Sequence, residues 1–172
     1  MTWDHVADPA QFVEAAFRAI QTQRMQGVPI LNPALRVEAI GFTPWRGRWL
    51  GLLITPWCMN LMLLPEQMSA WTSIAAQERL FYEFPAGTLA FLGGHEPELG
   101  EYHSCALYSP MAEFADQASA RAVGHAALAA LMIPLAAADD ADKVAEAPAP
   151  PEPAAAMSKR EFFGRILPRI NS

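Results

Sequence analysis

Gly41–Pro65 reads GFTPWRGRWLGLLITPWCMNLMLLP, and the interpretation of this stretch decides the fold. It holds three of the five Trp and is almost wholly apolar from Trp49 to Leu64. A membrane span needs about 20 uninterrupted apolar residues. Here Thr55-Pro56 breaks the run, Asn60 follows and Pro65 closes it. Proline removes a backbone donor and fixes φ, so it interrupts a regular ladder or helix. The run therefore reads as two buried strands, Arg48 to Ile54 and Cys58 to Leu64, joined by a bend at Thr55-Pro56-Trp57. Trp45-Arg46-Gly47-Arg48 is the hairpin turn that leads into them.

Outward from this centre, Asp8-Pro9 marks a helix start. The segment AQFVEAAFRAIQTQRM then repeats apolar residues at Phe12, Ala16, Ile20 and at Val13, Phe17. Asn32-Pro33 makes a turn, and alternation from Leu35 to Gly41 predicts a half-buried strand. Arg79 to Phe84, Thr88 to Leu92 and Ser104 to Tyr108 read as further strands. Gly93-Gly94 ends the second of these, and HEPELGEYHS is loop-like. Ser109-Pro110 is expected to open a second helix, with Glu113 and Asp116 in its first turns and Phe114, Ala118, Ala122 and Ala126 on one face. The expected fold is α+β: an antiparallel sheet of about five to six strands packed with two long helices, plus a flexible C-terminal tail.

The 172 residues suffice for one domain, here residues 1–135. From 136 to 156 the chain turns to Ala, Asp and Glu with Pro148, Pro150, Pro151 and Pro153, the composition of a disordered linker. Residues 157–172, MSKREFFGRILPRINS, become basic and aromatic again. A net charge of −6 argues against a nucleic-acid partner, whose backbone requires a basic face. The N-terminus shows no basic region followed by an apolar one, so the expected location is the cytoplasm, without stable membrane insertion. Cys58 and Cys105 form no C-x-x-C pair, and no phosphate-cradling glycine loop or dinucleotide fingerprint is present.

Three segments together resemble the HybE family (with HupJ and HoxT), assembly chaperones of [NiFe]-hydrogenases. They are Asn32-Pro33-Ala34-Leu35 with Val37-Glu38-Ala39; Gly41-Phe42 and Gly51 through Trp57 with Met59-Asn60-Leu61; and Tyr108-Ser109-Pro110-Met111 with Glu113-Phe114. The resemblance implies a cytoplasmic chaperone, not an enzyme and without a cofactor. It would bind hydrogenase precursors, namely the twin-arginine signal of the small subunit and/or the large subunit, alongside other maturation proteins. It would thereby prevent premature export or assembly. Such a signal is a basic pair followed by an apolar run, so its receptor needs an apolar groove with carboxylates at one end. Trp45, Trp57, Met59 and Met62 are candidate lining residues. Asn60 either braces the Pro56 bend or serves as a peptide handle, and Glu83, Glu113 and Asp116 are candidate partners for arginine.

The competing reading is a small metal carrier or accessory enzyme acting on the hydrogenase active site. It rests on His95, His103 and Cys105 as ligands, or on a nucleophilic Cys58 or Ser109. No fourth metal ligand is evident. In the tail, Ser158, Lys159, Arg160, Phe162 and Phe163 approximate a twin-arginine signal, with Lys159 where the first arginine belongs. No long apolar run follows. The tail is therefore not expected to direct export; it reads either as a short amphipathic helix, Arg160 to Leu167, docked on the protein's own surface, or as an autoinhibitory mimic that occupies the signal groove when no precursor is present.

Overall fold

The computed structural model describes residues 7–134. Helix α1 covers Ala10–Arg24. Six strands follow: β1 Glu38–Trp45, β2 Arg48–Ile54, β3 Met59–Pro65, β4 Arg79–Phe84, β5 Gly87–Glu96 and β6 Gly100–Tyr108. Helix α2, Gln117–Leu131, closes the described chain. The strands form one antiparallel sheet in the order β1-β2-β3-β6-β5-β4. No helix among the described residues is long and apolar enough to cross a membrane.

The central stretch folds as its punctuation dictates. At the β1–β2 turn Arg46 (φ 50°) and Gly47 (φ 74°) are both left-handed, the backbone that matches the twist of a two-residue hairpin. At the β2–β3 bend the Thr55 hydroxyl accepts from the N–H groups of Trp57 and Cys58 and donates to the Cys58 carbonyl. Every residue of β2 after Arg48 is buried, because both faces of the strand are covered. On one face Trp49, Leu53, Met62 and Leu64 pack against Val13, Ala16 and Phe17 of α1. On the other, Leu50, Leu52, Leu61 and Leu63 join the core under α2.

The sheet curls until its two edge strands touch. Trp45 of β1 stacks on Phe84 of β4 with ring centroids 4.5 Å apart, and Arg46 Nη1 donates to the Glu83 carbonyl. The connection from β3 to β4, with a 3-10 turn at Met68–Ala70, is pinned by Arg48 Nη2 donating to the Ala70 carbonyl at 2.7 Å.

Several boundaries differ from expectation. β1 starts at Glu38 instead of Leu35, although Leu35 and Val37 are buried all the same. β5 and β6 run through the stretch that reads as loop, because Gly93 and Gly94 stay in the strand and pair with His103 and Tyr102. Their missing side chains serve close approach: a Cβ on Gly93 would collide with the Ala75 carbonyl oxygen. α2 begins at Gln117, eight residues after Ser109, whose bond to Pro110 is cis. Asp116 is the N-cap and accepts from the Ser119 N–H at 2.7 Å. Glu113 and Phe114 therefore precede the helix, and Ala118, Ala122 and Ala126 face solvent. Ala120, Gly124, Ala127 and Leu131 form the buried stripe instead. The linker and tail, 136–172, lie outside the described residues.

Candidate functional site

The three sequence segments that carry the resemblance meet at one end of the sheet, and Asn32 ties them together. Its backbone N–H donates to the Pro56 carbonyl at 2.8 Å. Its side-chain Nδ2 donates to the carbonyls of Met111 (2.9 Å) and Phe114 (2.8 Å). Its Oδ1 accepts from the Ala34 N–H at 3.0 Å. One amide thus fixes a turn, a bend and an irregular loop. The anchors beneath are apolar: Met111 is fully buried, Phe114 nearly so, and Phe114 meets Tyr108 edge-on at 5.1 Å. Gln117 extends the clasp by accepting from the Arg36 N–H and donating to Glu38, which Arg121 also engages.

Between residues 29–34 and 110–115 this clasp leaves a groove of about 510 Å³. Its walls include Pro29, Ile30, Pro33, Pro110 and Phe114, and Ile30 is 49% exposed. Three prolines with fixed φ make a rigid rim, which reduces the ordering cost of binding. Two exposed carboxylates, Glu113 and Asp116, belong to the adjoining loop, next in sequence to the lining residues Ala112, Phe114 and Ala115. Glu113 lies within electrostatic reach of Tyr108, whose phenol is pushed up first by burial and then by that charge. Asp116 is exposed, and its hydrogen bonds from Ser119 hold its carboxyl below the usual range, so it stays anionic.

The predicted binding residues are distributed over three places. Trp57 sits on the bend next to Pro56, half-buried against the α1-side core, and shares the motif end with Glu113 and Asp116. Asn60 lies opposite Leu53, its Oδ1 buried with no hydrogen-bond partner among the described residues. Met59 and Met62 are fully buried in the two cores and present no surface. The expectation that they line a groove is corrected: a strand covered on both faces leaves no open side. Trp45 and Glu83 belong to the seam between β1 and β4, where a second pocket of about 400 Å³ is flanked by Arg46 and Arg48. The sequence reading missed Asn32, Ile30 and Pro110 as site residues. Asn32 was hidden because an Asn before Pro is already accounted for as a turn signal, and its partners are distant in sequence.

A family model described as [NiFe]-hydrogenase assembly, chaperone, HybE matches residues 8–165. The chain belongs to the HybE family. It is 42% identical over 119 residues to the hydrogenase expression/formation protein HupJ of Bradyrhizobium diazoefficiens, covering 69% of each chain. It is 36% identical to the protein HoxT of Cupriavidus necator over 92% of this chain and 89% of that one. The solution structure of HybE from Escherichia coli superposes with a TM-score of 0.61 at 26% identity, over 73% of this chain and 77% of the other.

The groups considered for metal or covalent chemistry are dispersed in this HybE-family fold. No cluster of three or more His, Cys, Asp or Glu suited to a metal occurs among the described residues. His95 is exposed on β5, whereas His103 is 1% exposed. His103 Nδ1 is hydrogen-bonded to the Tyr82 hydroxyl at 2.7 Å, and its ring stacks on Trp71 with centroids 4.2 Å apart. Burial pulls the His103 pKa down to about 4, so the ring is neutral. Cys105 is fully buried. Burial raises the Cys58 thiol above its ordinary pKa, with Thr55 and Asn60 opposing more weakly, so it stays protonated and a poor nucleophile.

Proposed function

We propose that this chaperone works by binding, in the cytoplasm, and that the groove at the Asn32 clasp receives the precursor. The ligand is the basic and apolar twin-arginine signal of the hydrogenase small subunit, or an equivalent segment of the large subunit. Occupancy would hold the precursor back from export or assembly until the metal centre is complete. One observation carries this reading. Two of the three segments that mark the family line one rigid apolar groove, Asn32 ties the third to them at Pro56, and Glu113 and Asp116 lie in the loop beside it. Apolar side chains of a signal would fill the space around Ile30, Pro110 and Phe114. Its arginines would pair with the carboxylates through charge-assisted hydrogen bonds.

The test is calorimetric titration of a synthetic signal peptide into the full chain and into Ile30→Asp and Glu113→Lys. Glu113 is the acidic residue to change, because Asp116 also caps α2 and its loss costs about 1 kcal/mol of stability. Each substitution is expected to weaken binding about tenfold, equivalent to about 1.4 kcal/mol. Unchanged affinity in both variants contradicts this assignment of the groove.

A further inference from the structure

The groove that would receive a precursor matches a segment of the chain's own C-terminus. We propose that Ser158-Lys159-Arg160-Glu161-Phe162-Phe163 folds back into the groove between residues 29–34 and 110–115 and competes there with the precursor. This inference rests on the reading of that groove as the precursor's dock.

Geometry supplies the first argument. Helix α2 starts at the groove, directly after Ala115 and Asp116, and carries the chain away over 15 residues. At 1.5 Å per residue, that is about 22 Å. The chain from Leu135 to Met157 is the length available for the return. With coil statistics, which its Ala/Pro/acidic composition indicates, these 23 residues have a root-mean-square span of roughly 24–29 Å. Tether and distance therefore match, the condition under which effective concentration is highest, in the millimolar range.

Charge decides between the two pockets. Residues 157–172 carry four basic residues against one acidic, while residues 7–134 carry eleven acidic against seven basic. The seam pocket is lined by Arg46 and Arg48 against the single carboxylate Glu83, a net positive lining that disfavours Lys159 and Arg160. No basic residue lines the clasp groove, its apolar walls suit Phe162 and Phe163, and Glu113 and Asp116 lie in the loop beside it. The family match also continues past the linker to residue 165, so it includes this segment.

With a local concentration of about 1 mM and an intrinsic dissociation constant near 0.1 mM, the segment fills the groove about nine times in ten. It weakens a competing ligand about tenfold and yields to one that binds well. The groove is thereby covered when no precursor is present.

The experiment compares the full chain with the full-length variant Lys159→Glu, Arg160→Glu, Phe162→Ala, Phe163→Ala. In NMR spectra the Ile30 methyl and the Ala112 and Ala115 amides are expected to differ between the two. A free peptide of residues Met157–Ser172, added to the variant, should move them back toward the native positions. Identical groove resonances in the two chains overturn the proposal. So does a dependence of those resonances on protein concentration, which would place a second copy in the groove. In calorimetry the variant is expected to bind a synthetic twin-arginine signal peptide up to about tenfold more tightly, and equal affinities count against the proposal. A signal peptide that binds neither chain removes the precursor reading, while the groove resonances still decide whether the segment docks.

Discussion

Asn32 holds the candidate site in shape through one side chain, so its removal has a predictable cost. Asn32→Ala removes a donor from the Phe114 carbonyl and leaves the Met111 carbonyl with the Phe114 N–H. Exposing no replacement partner for part-buried acceptors costs about 1–3 kcal/mol. Urea unfolding should show that loss, and peptide affinity should fall with it, because the 110–115 wall is no longer fixed. Native stability in Asn32→Ala would mean that the clasp closes without its amide. His103 gives a second residue-scale prediction. Its pKa falls from an ordinary 6.5 to about 4 in the fold, chiefly through burial; Arg48 lowers it further and Glu101 opposes. Between those values the unfolded chain binds the proton and the folded chain does not, so stability rises with pH. The protein should lose stability as pH drops from about 6.5 to about 4, and His103→Gln should lose less over the same range. Equal losses in the two proteins would show that the imidazole is not kept neutral by the fold.

At the scale of elements, Gly93 tests why β5 continues where a pair of glycines suggests an end. The strand passes directly beneath residues 75–78. Gly93 N donates to the Glu78 carbonyl at 2.9 Å, and its own carbonyl accepts from Gln77 at 3.0 Å. Gly93→Ala therefore has to move backbone, not just a flexible side chain, and should cost roughly 1–3 kcal/mol by thermal or urea unfolding. A neutral substitution would mean that the 75–78 segment shifts freely. This position also shows what was legible in the sequence. Arg48–Ile54 and Arg79–Phe84 were readable because local punctuation and alternation bound them. The start of α2 was not, because Ser109-Pro110 imitates a cap followed by a first-turn proline. What keeps 109–116 out of the helix is Asn32, 79 and 82 residues away in sequence from the carbonyls it binds. The orientation of Met59 and Met62 was equally hidden, since a strand buried on both faces has no alternation from which to read a side.

Across the whole molecule, the curled sheet separates two surfaces with opposite character. The seam where β1 meets β4 is cationic, through Arg46 and Arg48, and carries Phe81, 54% exposed. The clasp end is apolar and acidic. The family segments were legible as a set of residues, but their convergence was not, because it depends on contacts made between distant parts of the chain. The central claim is that the clasp end, and not the seam, receives the hydrogenase precursor. The most direct measurement places a photo-crosslinking amino acid at Ile30 or, in a separate protein, at Phe81, in cells that produce a [NiFe]-hydrogenase. The account predicts a covalent adduct with an unprocessed subunit precursor from position 30 and none from position 81. Adducts from position 81 alone would contradict it.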